Sequence, residues 1–204
     1  MSSHPPSDAP SPAPSADAAS DLSLASLLRI RGAPLLEALE GHLPGSREAG
    51  DAASSYAFAA AVELGFTRSS AELVREAAKL HDVGRMYVPA EILAKPAWSR
   101  TPEEGALVEA HHEWGAQLAR GAGIPDRVCE WIRLGAERYD GGGPNRLAGE
   151  AIPLQARISR AAYACHAALT EGQPLDALHG SSGRELDPMV VDALETLLIR
   201  ARPR

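Results

Sequence analysis

Aromatic side chains are scarce: two phenylalanines, four tyrosines and three tryptophans make up 4% of the 204 residues. A core built around stacked rings is therefore excluded. The apolar 45% must be mainly Ala, Leu, Val and Ile, small and branched side chains that favour closely packed helices. Positive charge is also short: 20 Lys and Arg against 27 Asp and Glu leave a net charge of -7. That excludes a broad DNA, RNA or anionic-membrane surface, because phosphates are held by clustered Lys and Arg. A small anionic ligand needs only a few local cations and stays compatible. No apolar run approaches the ~20 residues of a membrane span. The N-terminus lacks a basic start followed by an apolar stretch, so no secretory signal is expected and the expected location is the cytoplasm. There are only two cysteines, Cys129 and Cys165, with no CxxC spacing. They read as small buried hydrophobes in a reducing compartment, a disulfide between them being the alternative.

What is present is a short biased segment and then helical patterning. Residues 1–20, "MSSHPPSDAPSPAPSADAAS", are almost all Ser, Pro, Ala and Asp. Such a composition cannot bury a core and is expected to be a disordered tail, with no role for His4. Residues 21–204 are expected to form one helical domain. "DLSLASLLRI" and "APLLEALEGHL" predict two short amphipathic helices. "DAASSYAFAAAVELG" predicts a helix from Asp51 that stops at Gly65. Ser69 and Glu72 have capping-box spacing for a helix running to His81. Thr101, Pro102 and Glu104 form a stronger start, for a helix to about Arg120. "IPDRVCEWIRLGAE", "IPLQARISRAAYACHAAL" and "DPMVVDALETLLIRA" predict three more, the last capped by Asp187. No segment alternates as a strand does, so the fold class is all-α.

The string "HDVGR" begins at His81. Imidazole nitrogen and carboxylate oxygen are ordinary ligands for iron, manganese or zinc. Adjacent residues at a helix end can reach one ion if the backbone bends, and Gly84 would permit the bend. The context is more specific. His81-Asp82-Val83-Gly84-Arg85, then "VPAEILAKP" and "TPEE", resembles the HD-GYP domains of the HD superfamily, a group of bacterial signalling domains. His111 and Gly115 in "EAHHEWGAQLARG" match that family's next segment. "AERYDGGGPNRLAGEAIPLQARI" is similar to the segment that names it, and "LDPMVVDAL" to its last helix. The likeness spans roughly Gly50 to Leu198. It implies an HD-superfamily bundle of about seven helices and metal-dependent hydrolysis of cyclic di-GMP.

That chemistry needs two or three ions clamped by His, Asp and Glu. The resemblance places metal ligands at His81, Asp82 and His111, and at Asp51 on the preceding helix. His112, one position further on, turns about 100° away on a straight helix and reads as structural or exposed. The family's paired histidines fall at Gly135 and Ala136, and an aspartate falls at Tyr163. The next family aspartate falls at His166, which reads as a helix-surface residue. Gly143-Pro144 stands one residue short of Gly-Tyr-Pro. Arg85 replaces the usual Lys, keeping the charge and adding a bidentate fork. The connection before the last helix is shorter than usual. One divalent ion (Fe, Mn or Zn) is therefore expected at most, and a second is not.

The expected function is a degenerate HD-GYP-like module, regulatory or interacting with a cyclic dinucleotide or a protein, with weak or no hydrolysis. The alternative is a residual phosphohydrolase with one metal. In it Asp82 and Arg85 are the catalytic candidates, and Arg85 and Arg138 bind substrate. A helical scaffold with neither metal nor ligand is the third reading.

Overall fold

The structure is a computed structural model that describes residues 16–170, 172 and 176–201. The expected tail lies outside the described residues up to position 15. Its last five positions are already helical, because helix α1 runs Ala16–His42. α1 also corrects the expectation of two short helices: the chain passes through Pro34 without stopping. Proline removes one backbone donor, and buried Ala25, Leu28 and Leu39 on either side of it hold the helix to the core.

α2 spans Ser46–Glu63, starting five residues before the expected Asp51. The Glu40 carboxylate accepts from the Gly45 and Arg47 amides at 2.9 and 2.8 Å and from the Ser46 hydroxyl at 3.1 Å. A side chain from α1 thus satisfies the otherwise orphaned start of α2. The stop is as expected, with Gly65 in the left-handed region at φ 86°. α3 spans Arg68–Lys79. Its cap is Thr67, whose hydroxyl accepts from the Ser70 amide at 3.2 Å, so the start lies two residues before the expected Ser69. His81 falls just past its end, in a tight turn.

A 3₁₀ turn over Val83–Tyr87 and a short helix α4, Ala90–Leu93, lead to α5, Pro102–Glu109. Thr101 and Glu104 form the reciprocal capping box that their spacing predicts. The helix does not continue to Arg120. It steps at Ala110 and resumes as α6, His111–Gly121. α7 spans Asp126–Arg133, α8 Leu154–Thr170, α9 Asp176–Ser181 and α10 Pro188–Ala201. Asp187 caps α10 through the Met189 amide at 2.8 Å. The all-α expectation holds: among the described residues there is no strand, only two isolated bridges. No helix among them is long and apolar enough to cross a membrane.

α3 lies at the centre. Ala71, Val74 and Ala78 on one side join α2, α8 and α10 in the larger core, which holds Ala57, Ala61, Ile158, Ala162, Cys165 and Val191. Leu73, Ala77 and Leu80 on the other side join α1, α6 and α7 through Leu28, Ala116, Val128 and Ile132. The alanines let both layers close on α3. A helix buried on two sides holds its C-terminal end in a fixed place, and the turn at that end carries His81.

Candidate metal centre

Leu80 and Val83, both fully buried, fix the turn that carries His81 and Asp82. Asp82 then precedes the 3₁₀ turn, which lies against α6 because Gly84 and Gly115 leave room. This corrects the role expected for Gly84. It is not among the residues with positive φ. A Cβ there would stand 1.8 Å from the His111 carbonyl oxygen. Glycine is required for close approach, not for a bend.

The step at Ala110 decides the rest. The His111 ring donates from Nδ1 to the Val108 carbonyl, the acceptor that a continuous helix would present to the amide of His112. His111 and His112 both end up inside, 4% and 6% exposed, with ring centroids 3.8 Å apart. His112 packs edge-on against His81 at 4.5 Å. His112 is thus buried against the site, contrary to the straight-helix reading. It is the residue that sequence reasoning missed, since nothing local in "ALVEAHHEWG" marks a break.

The structure brings His81, Asp82, His111 and Arg85 together. Asp82 Oδ1 lies 3.0 Å from His81 Nδ1, 3.3 Å from His111 Nε2 and 3.2 Å from Arg85 Nε. Burial alone would raise the Asp82 carboxyl. Arg85 and the two histidine rings outweigh it and hold the carboxyl well below the usual carboxylate range. Burial lowers His81, against Asp82, and lowers His112 well below the ordinary histidine value. Both rings are neutral near pH 7, the form that binds metals. His81 Nε2, His111 Nε2 and His112 Nδ1 are buried and make no hydrogen bond. One ligand atom from each ring falls within 4.8 Å of the others. Unpartnered imidazole nitrogens beside a carboxylate are a donor set that suits a divalent transition metal.

Asp51 does not join them. Its side chain is 60% exposed and pairs with Lys79 Nζ at 3.3 Å. α2 presents Gly50 instead, whose added Cβ would lie 3.6 Å from the Tyr163 hydroxyl. One position along a helix turns Asp51 outward. Arg138 is engaged elsewhere: it donates to both Asp140 oxygens, at 3.1 and 2.7 Å, and to Glu185 at 3.1 Å. Neighbouring Glu137 is buried and accepts from the Asn145 and Leu147 amides, so the glycine-rich loop is held by its own bonds. Arg157 is bound to buried Asp187.

The positions where the resemblance leaves gaps do face the cluster. A Cβ on Gly135 would lie 3.0 Å from His81 Nε2 and 3.1 Å from His112 Nδ1. Arg160 donates to the Gly135 carbonyl at 3.2 Å and locks that backbone. Tyr163 stacks on His81, centroids 4.3 Å apart at 20°, and donates to the Ala78 carbonyl at 3.2 Å. Burial, with Asp82 nearby, raises its phenol well above the ordinary value, so it stays protonated. His166 is half-buried on the wall. A cleft of about 550 Å³ opens over these groups and also exposes Arg85 and Arg160. An adjoining hollow of about 410 Å³ shares His111, His112 and Arg160 with it.

A family model described as HD domain matches residues 35–190 of this chain. The chain belongs to the HD domain family. This HD domain is 36% identical over 151 residues to a cyclic di-GMP phosphodiesterase response regulator, RpfG, of Xanthomonas campestris pv. campestris, covering 66% of this chain and 38% of that one. It is 30% identical over 154 residues to a 3'3'-cGAMP-specific phosphodiesterase of Vibrio cholerae, covering 67% of this chain and 29% of that one. It therefore spans about a third of the length of these curated relatives. Among solved structures, an HDG"Y"P protein from Bdellovibrio bacteriovorus superimposes with a TM-score of 0.66 at 26% identity, covering 76% of this chain and 52% of that one. The HD domain of the Listeria monocytogenes phosphodiesterase PgpH, solved with cyclic-di-AMP, superimposes with a TM-score of 0.62 at 19% identity over 84% of this chain and 98% of that one. That last likeness is one of fold.

Proposed function

We propose that this HD domain is a cyclic-dinucleotide-responsive module that holds one divalent metal ion in the His81–Asp82–His111 cleft and hydrolyses its ligand weakly or not at all. The observation that carries the proposal is the wall opposite His81. Gly135 and Tyr163 stand there, and neither offers a ligand of the kind a second ion needs. Relatives named as cyclic di-GMP and 3'3'-cGAMP phosphodiesterases support a cyclic dinucleotide as the ligand class. So do two cations on the cleft, Arg85 and Arg160. Arg160 is half-compensated by Glu185 at 3.8 Å.

A second reading has one observation in its favour: the cleft is open beside Asp82 and Arg85. A bound divalent ion would supply Lewis acidity and an activated water. Arg85 would then steady a phosphate, and Asp82 would orient His81. The two readings separate in one assay of the intact chain, purified without chelator and supplied with cyclic di-GMP and manganese or iron. Bound metal with negligible turnover supports the responsive module. Sustained hydrolysis that His81→Ala abolishes overturns it in favour of the phosphohydrolase.

A further inference from the structure

We infer that the metal centre has been rebuilt on three histidines, with His112 taking the place vacated at Gly135 and Asp82 acting as an orienting carboxylate instead of a bridging ligand. This rests on the metal binding proposed for the cleft and assigns its ligands. Three observations carry it.

The first is which ring nitrogens are left to face the cluster. The Val108 carbonyl can only accept, so His111 donates from Nδ1 and turns Nε2 toward the cluster. His81 Nδ1 is likewise taken up by Asp82 Oδ1 at 3.0 Å, which leaves its Nε2 to face the cluster. Both free nitrogens are buried and unpartnered, as is His112 Nδ1. His111 Nε2 lies 3.3 Å from Asp82 Oδ1 without a hydrogen bond between them.

The second observation is the arrangement around Asp82. A carboxylate that holds one imidazole N–H while the other nitrogen faces the metal is the outer-shell arrangement that fixes ring orientation and raises ligand basicity. Asp82 already has its Oδ1 committed to His81 and Arg85.

The third is space. A Cβ at Gly135 would stand 3.1 Å from His112 Nδ1 and 3.0 Å from His81 Nε2. Any side chain at 135 would press on the two rings. Glycine there and histidine at 112 are therefore a matched pair, made possible by the step at Ala110. Three nitrogens and no directly bound carboxylate select zinc or iron(II) over manganese, which prefers oxygen.

The test is competitive titration of the metal-free full chain with zinc and with cobalt(II) against a chromophoric chelator, the cobalt visible spectrum being recorded and the melting temperature serving as fold control. The wild type is expected to bind one ion per chain. His112→Ala and its size-preserving counterpart His112→Gln are each expected to weaken binding more than about 100-fold, beyond the cost of an outer-shell loss. Asp82→Asn, whose amide oxygen still accepts from His81, and Gly135→Ala should each weaken it ~10–100-fold, with cobalt remaining bound. If the wild type binds one ion and the folded His112 variants bind it equally well, the inference falls while the proposed function stands. If Asp82→Asn abolishes binding as completely as His81→Ala, Asp82 is a direct ligand and the inference is overturned. If the wild type binds no ion, the proposed function and the inference fall together.

Discussion

Gly84 and Asp140 are tied by side-chain volume and by charge to the geometry around the cleft. An alanine at 84 would set its Cβ 1.8 Å from the His111 carbonyl oxygen and 2.5 Å from the Gly115 amide nitrogen. Both are backbone atoms and cannot swing away. Gly84→Ala is expected to cost at least ~3 kcal/mol, the upper range of overpacking. A urea midpoint unchanged from wild type would contradict the packing described. Asp140 lies in the loop beside Arg138. Its carboxyl is held at about 2, chiefly by the Arg138 guanidinium and the Gly142 amide. A folded value below the unfolded one, ~3.9, means that the interaction contributes stability above pH ~4 and loses it as pH falls through about 2. An NMR titration should place the midpoint near 2, and Arg138→Ala should return it toward the unfolded value. The carboxylates show which residues a sequence can place. Asp82 is legible in "HDVGR". Asp51 is not, because one residue of register on α2 exchanges a group that faces Tyr163 for one that faces solvent.

A reciprocal local bond was legible as a helix start; a single local cap was misplaced by two residues at α3, and starts set by distant bonds were not legible. The Thr101–Glu104 box is a bond between residues three apart, so its spacing suffices. α2 begins early because Glu40, on another helix, satisfies its first amides. α1 runs through Pro34 because the core on both sides outweighs one lost hydrogen bond. The step between α5 and α6 depends on the His111 ring taking the Val108 carbonyl and on two glycines meeting across elements. No window of sequence contains that information, and the inward position of His112 is hidden with it. α3 gives the test at this scale, since its cap is Thr67 and not Ser69. Thr67→Ala should cost ~1 kcal/mol, read as a shifted urea midpoint at constant slope. Ser69→Ala should cost clearly less. Equal losses would return the cap to Ser69.

The described residues form two helical layers closed on α3, with the candidate metal centre at the end of that helix. Each layer holds one buried cysteine, Cys165 with α2 and α10, Cys129 with α1 and α6. Both are free thiols. Burial pushes Cys165 up to about 11 and raises Cys129 as well. Neither should react with a thiol reagent at pH ~8 until the domain unfolds. Fast labelling of either in the native protein would show that its layer opens. The HD fold is shared with relatives named as phosphodiesterases. The ligand supply in this chain is three converging histidines with one carboxylate, facing a glycine and a protonated tyrosine. The most direct test is the number of divalent metal ions per chain in protein purified without chelator. The account predicts one. Two ions per chain, or none, would contradict it.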